Sequence, residues 1–199
     1  MPNELRPSRW SAIEYVFLDR DGVINRKLPE GQYVTRWNKF ELLPGVAAAI
    51  ATLNRSGRKV IVVTNQRGIA LGRMSEADLC AIHEQLRGEL ARLGATLDAI
   101  YYCPHGRDEC DCRKPKTGMI DEAFRDFPEA APGNSVLIGD SLSDMQCGHR
   151  AGMATVFVAG EGTAQDGEMA KERNSEAETA KQMADAVTGS LSDAVSLFL

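Results

Sequence analysis

Tyr15-Val16-Phe17-Leu18-Asp19-Arg20-Asp21-Gly22 is the stretch that decides the fold. Its four apolar residues run without polar alternation, the pattern of a parallel strand covered on both faces. The run ends at two carboxylates with one residue between them. Once the strand stops, both side chains can face the same site.

Working outward, residues 60–63, 99–102, 136–138 and 155–158 are apolar runs of the same kind. They end at Thr64, at a cysteine cluster, at Gly139-Asp140 and at Ala159. Helical patterns separate them. Pro44-Gly45 opens one over residues 46–53 and Gly57 closes it, with proline early and glycine late. Ser75-Glu76-Ala77-Asp78 resembles a capping box, and Leu79, Ile82, Leu86, Leu90 and Leu93 follow at helical spacing up to Gly94. Residues 118–127 and 144–151 also read as helices, and Leu191, Ala194, Val195 and Phe198 give an apolar face to a terminal one. Alternating strands and helices predict an α/β fold with a doubly wound parallel sheet. Residues 23–43 interrupt the alternation and are expected to form a flap over the site. Residues 161–181, rich in Glu and Ala, are expected to be a solvated helix or a mobile segment.

The 199 residues fit one domain, residues 1–199, because single domains mostly run to ~100–200 residues. Hydrophobic residues are 43% and charged residues 26%, as in an ordinary globular protein. A net charge of -5 argues against nucleic-acid or membrane partners, so any phosphate must be met by cations placed locally. No apolar run is long enough for a signal peptide or a membrane span, and a cytoplasmic location is expected.

In open α/β sheets the site lies beyond the carboxyl ends of the strands. Reading those ends gives Asp19, Thr64 and Asp140, with Arg113-Lys114 close after the third strand. A phosphate monoester is doubly negative and resists attack by an anion. A carboxylate nucleophile therefore needs Mg²⁺ and a lysine to neutralise that charge. Asp19 can attack phosphorus, and Asp21 can protonate the leaving oxygen and then deprotonate water. Thr64 and Lys114 can hold the transferring phosphoryl group. Asp19, the Asp21 carbonyl and Asp140 can supply an oxygen-rich Mg²⁺ shell.

The cysteines are Cys80, Cys103, Cys110, Cys112 and Cys147. Five is odd, and three crowd beside His105, which in a reducing compartment favours metal over disulfides. Cys103, His105, Cys110 and Cys112 supply four ligands within ten residues, the number that tetrahedral zinc takes in a structural site. This zinc loop, residues 103–112, has little apolar content, so metal would supply its folding energy and fix Arg113 and Lys114. Cys80 and Cys147 read as buried small hydrophobes, His83 as a helix-surface residue and His149 as a helix end. Trp10 and Trp37 read as packing residues.

Asp19-Arg20-Asp21-Gly22, Thr64, Lys114 and Gly139-Asp140-Ser141-Leu142-Ser143-Asp144 occur in the order of the four motifs of the haloacid dehalogenase superfamily, which the chain resembles. Val63-Thr64-Asn65-Gln66, Tyr101-Tyr102-Cys103-Pro104-His105 and Cys110-Asp111-Cys112-Arg113-Lys114-Pro115 further resemble its family of phosphatases acting on the 7-phosphate of D-glycero-D-manno-heptose 1,7-bisphosphate. Histidinol-phosphate phosphatases, which share the zinc loop, are near relatives. The resemblance implies the superfamily's Rossmann-like sheet, a phosphorylated-sugar substrate, and Mg²⁺ and Zn²⁺; a monomer is expected, although the sequence does not fix the oligomeric state. It implies Arg113 as the reader of the rest of the sugar bisphosphate, and Asn65, Gln66 and Arg67 as pocket-lining residues, with Arg20 and Ser141 also among the substrate contacts. Arg67 stands where many relatives carry a small residue and Ser141 where some carry lysine. Histidinol phosphate or another small phosphomonoester is the alternative substrate. A zinc-stabilised binding module without catalysis is the alternative class, against which Asp19, Asp21, Lys114 and Asp140 argue.

Overall fold

The computed structural model describes residues 9–160 and 168–199, with side chains from residue 174 onward in the second stretch. The N-terminal residues read for a signal peptide, and residues 161–167 of the polar stretch, lie outside the described residues. The strands are β1 (Tyr15–Leu18), β2 (Lys59–Asn65), β3 (Ala99–Cys103), β4 (Ser135–Gly139), β5 (Ala154–Val158) and β6 (Ala186–Thr188). The helices are α1 (Val46–Arg55), α2 (Glu76–Arg92), α3 (Gly118–Asp126), α4 (Leu142–Arg150), α5 (Glu168–Met183) and α6 (Leu191–Val195). All strand pairs are parallel, in the order β3-β2-β1-β4-β5-β6.

The continuous apolar runs are explained by two cores, one on each face of the sheet. Val16, Leu18, Val60, Val62, Val136 and Ile138 point to one side, against Ile50, Leu53, Leu86, Leu90 and Leu191. Phe17, Ile61, Val63 and Leu137 point to the other, against Met119, Ile120 and Cys147. The capping box at α2 forms as expected: the Asp78 amide donates to Ser75 Oγ at 3.1 Å and the Ser75 amide to Asp78 Oδ2 at 2.8 Å. Leu79, Ile82, Leu86 and Leu90 are buried, but Leu93, expected to extend their stripe, is 52% exposed because the helix has already ended. β6 escapes the sequence pattern because it is three residues long and half-exposed at the sheet edge. Of α5, Ala180 is buried and residues 174–176 are exposed, in line with a solvated helix.

The flap is pinned rather than loose. Val34 packs with Met74, Leu79 and Ile82, and Trp37 stacks on Phe40 with ring centroids 4.9 Å apart. Trp10 packs against Phe198. Among the described residues no helix is long and apolar enough to cross a membrane.

Candidate active site

Chain order builds the sheet from β1 outward through β2 to β3, then returns to the other side of β1 for β4. The carboxyl ends of β1 and β4 therefore flank the topological switch point, where diverging connections leave a crevice. Leu18 pairs with Val62 on one side and Ile138 on the other, so Asp19 leaves the sheet between Val63 and Gly139. A cavity of about 380 Å³ opens there, lined by Asp19, Asp21, Thr64, Lys114, Asp140, Asp144 and the flap. A second cavity of about 350 Å³ lies at the opposite end of the strands, around Glu14, Arg58 and Lys59, and gathers none of these groups.

Lys114 is the buried centre of the site. Its ammonium donates to Asp19 Oδ1 at 2.7 Å, to the Val63 carbonyl at 2.7 Å and lies 2.6 Å from Asp144 Oδ1. Burial works against that charge, but Asp144 and Asp19 outweigh it and hold the lysine pKa above its ordinary value. Burial pushes Asp19 up to about 7, against the pull of Lys114. Asp144 was not singled out as a site residue. Its signal was present in the spacing Ser141 to Asp144, the same capping box as at α2, which aims the remaining carboxylate oxygen back over the strand end. Gly139 is required by that return, since a Cβ there would lie 2.3 Å from the Asp144 side chain.

Asp21 faces differently. Its carboxylate accepts from Arg20 at 2.9 and 3.0 Å, from Asn25 at 2.8 Å and from Gln66 at 3.1 Å. Burial acts to raise its pKa, but Arg20, Asn25 and Gln66 prevail and hold it below the usual carboxylate range. The carboxylates that converge are Asp19, Asp140 and Asp144, with ligating oxygens within 4.8 Å of one another; the Asp21 carboxylate is not among them, and its expected role as a ligand was through the main-chain carbonyl. The Asp140 Oδ1 atom is buried without a hydrogen-bond partner, and its Oδ2 takes the Lys27 ammonium at 2.6 Å. An orphaned anionic oxygen beside two more carboxylates fits a hard divalent cation. Gly22, with φ +101°, brings its backbone so close that a Cβ would fall 2.2 Å from Asp140 Oδ2.

Several expected substrate contacts have other work. Arg20 is buried and grips Asp21, and it also borders the cleft. Asn65 donates to the Lys114 carbonyl and accepts from the Lys114 amide, both at 3.1 Å, so it fixes the lysine's main chain. Gln66 is buried and joins Asp21 to Thr64 Oγ1, the latter at 3.0 Å. The Ser141 hydroxyl is engaged by Ser143 and by the capping box. All six expected contacts, Arg20, Asn65, Gln66, Arg67, Arg113 and Ser141, line the cleft, joined by Lys27 and Arg107, which composition alone did not single out. An acidic chain thus places its cations locally. Two further readings are corrected: His83 is buried, and Cys80 is exposed. Cys147 is buried as expected.

Beyond β3, Cys103, His105, Cys110 and Cys112 come together. Cys110 Sγ lies 3.5 Å from Cys103 Sγ and 3.3 Å from Cys112 Sγ, and His105 Nδ1 lies 3.6 Å from Cys103 Sγ and 3.3 Å from Cys112 Sγ. A tetrahedron with metal–ligand arms of ~2.0–2.3 Å has edges of ~3.3–3.8 Å, so the donors fit zinc in number, type and spacing. Burial pushes the Cys103 and Cys112 thiols up, so only a bound cation would make them thiolates near neutral pH.

Residues 111–194 match the HAD-hydrolase-like family. The chain is 44% identical over 140 residues to the D-glycero-alpha-D-manno-heptose-1,7-bisphosphate 7-phosphatase of Mycobacterium bovis, covering 70% of this chain and 73% of that protein. It is 38% identical over 190 residues to the beta-heptose enzyme of Salmonella typhi, covering 92% and 93%. In fold it is similar to the D,D-heptose 1,7-bisphosphate phosphatase of B. bronchiseptica, solved with magnesium and phosphate, at a TM-score of 0.77 and 33% identity over 92% of this chain and 97% of the other.

Proposed function

The chain belongs to the heptose-1,7-bisphosphate 7-phosphatase family of haloacid dehalogenase-like hydrolases, and on that premise we propose that it removes the 7-phosphate of a D-glycero-D-manno-heptose 1,7-bisphosphate through an aspartyl-phosphate on Asp19. The observation that carries the reading is the contact of Lys114 with Asp19 at 2.7 Å, beneath a cleft rimmed by Lys27, Arg67, Arg107 and Arg113.

Asp19 attacks phosphorus while the bond to the sugar oxygen breaks, and Asp21 gives its proton to that oxygen. Arg20, Asn25 and Gln66 favour the ionised Asp21; a phosphate dianion beside it raises its pKa, so acid is supplied when substrate is present. In the second step Asp21 takes a proton from water, which attacks phosphorus and frees Asp19. Lys114 and Thr64 hold the phosphoryl oxygens, and the rim cations hold the distal phosphate. Mg²⁺, held by Asp19, Asp140 and the Asp21 main chain, supplies charge neutralisation at the transferring group. Asp144 serves chiefly Lys114. Zn²⁺ on Cys103, His105, Cys110 and Cys112 orders the loop from which Arg113 and Lys114 issue. Unpaired cysteines suit the cytoplasm. The test is phosphate release, with Mg²⁺, from both heptose 1,7-bisphosphate anomers, histidinol phosphate and fructose 1,6-bisphosphate. Turnover of a heptose bisphosphate well above the others is expected; preference for histidinol phosphate would overturn the substrate, and no turnover of any would overturn the activity.

A further inference from the structure

Arg20 is the bulkiest of the fully buried side chains, and its burial has a purpose beyond packing. One terminal nitrogen forks onto both Asp21 oxygens, and the other lies 3.3 Å from Nε2 of His83, on the inner face of α2. The guanidinium also sits over the Phe40 ring of the flap, 5.8 Å from its centroid. A guanidinium has only donors, so His83 Nε2 must accept and the ring must be neutral with its proton on Nδ1. Burial and the charge of Arg20 hold the His83 pKa down to about 3, in agreement with that tautomer. Tyr102 packs edge-on against the same ring with centroids 6.0 Å apart, which fixes its tilt. An apolar residue would fill this place in the stripe of Leu79, Ile82 and Leu86, so the imidazole is there for its acceptor.

We propose that His83 is a positioning residue: it anchors Arg20, and Arg20 aims the Asp21 carboxyl at the leaving oxygen. The inference rests on the phosphatase reading and adds to it a residue outside the cleft. In the first step the phosphorus–oxygen bond to the sugar breaks, the bond to Asp19 forms, and the Asp21 proton moves to the departing alkoxide. Proton transfer demands hydrogen-bond geometry, whereas a stable aryloxide can leave unprotonated. The constant kcat/KM covers events only up to phosphoryl transfer, so the later activation of water by Asp21 does not enter it.

The test compares kcat/KM for heptose 1,7-bisphosphate and for p-nitrophenyl phosphate in wild type, His83→Leu and His83→Gln, with thermal melting of each. The Leu variant should lose about tenfold or more on the sugar phosphate but less than about threefold on the aryl phosphate. The Gln variant, whose amide oxygen can accept from Arg20, should recover most of the loss. In an Asp21→Asn background the Leu change should not alter the ratio of the two substrates further. Equal losses on both substrates, an unchanged ratio, or Gln as impaired as Leu would overturn the proposal. If the Leu variant does not fold, His83→Met carries the same comparison. A wild type inactive on both substrates would sink the phosphatase reading and this proposal together, while an active wild type with an unchanged ratio sinks this proposal alone.

Discussion

Asp144→Asn tests the architecture of the site more sharply than loss of the nucleophile, because Asp144 lies behind the reacting groups. In the wild type, Lys114 is shared between Asp19 at 2.7 Å and Asp144 at 2.6 Å, all three being buried or nearly so. The amide keeps the shape and can still accept from the Ser141 amide, so the cap of α4 survives. What is lost is one anion of a buried pair, which costs ~3–5 kcal/mol when the partner charge stays behind. Asp19 remains as a partner for Lys114, so the lower end, about 3 kcal/mol, is the reasoned figure. For a chain of this size each kcal/mol lowers Tm by ~2–4 °C, giving a fall of about 6–12 °C. Catalysis should suffer more than stability, because an unshared lysine settles onto Asp19 and blunts the nucleophile. A loss of ~100-fold in kcat is expected, as for a displacement of ~1 Å at a reacting group. Differential scanning fluorimetry without added metal and steady-state phosphate release with Mg²⁺ read the two effects. A Tm within about 2 °C of wild type together with kcat within about threefold would show that Asp144 does not hold Lys114, and the account of the site would fail.

Asp19→Asn should abolish turnover with the fold intact by circular dichroism, because an amide cannot attack phosphorus; a variant with even about a tenth of the wild-type rate would remove Asp19 from that role. Activity should need Mg²⁺ and fall in Ca²⁺, whose longer bonds and larger shell draw Asp19 into coordination; full activity in chelator would contradict the site. Mg²⁺ affinity, measured by calorimetry, should tighten as pH rises towards 7 and then level off. Asp19, raised to about 7 by burial, holds a proton below that pH which the cation must displace; a flat profile would place the cation elsewhere. Atomic emission should find one zinc per chain, and Cys110→Ser should lose it and lower kcat/KM while most of the sheet persists. Zinc removal without kinetic effect would break the proposed link from the loop to Arg113 and Lys114.

The carboxyl-end residues were legible because a strand buried on both faces leaves an unbroken apolar run, so its last residue marks the site. Asp19, Thr64 and Asp140 follow from that rule, and the four close-spaced metal donors follow from ligand chemistry. The roles of Arg20, Asn65 and Gln66 were not legible. Each lies within two positions of a proposed catalytic residue in the chain, which reads equally well as a contact to substrate or as a brace.

Local pattern alone determined the parallel sheet, the place of Asp19 at a strand end and the clustering of Cys103, His105, Cys110 and Cys112, because apolar period, strand ends and donor spacing are properties of neighbouring residues. Only the tertiary structure decided that Arg20 turns inward to His83, 63 positions away, and that Lys114 is divided between Asp19 and Asp144, 95 and 30 positions away. A buried cation must find its acceptors among whatever groups the packing of helix on sheet brings within ~3 Å, and that choice is made by the assembled core rather than by adjacency along the chain.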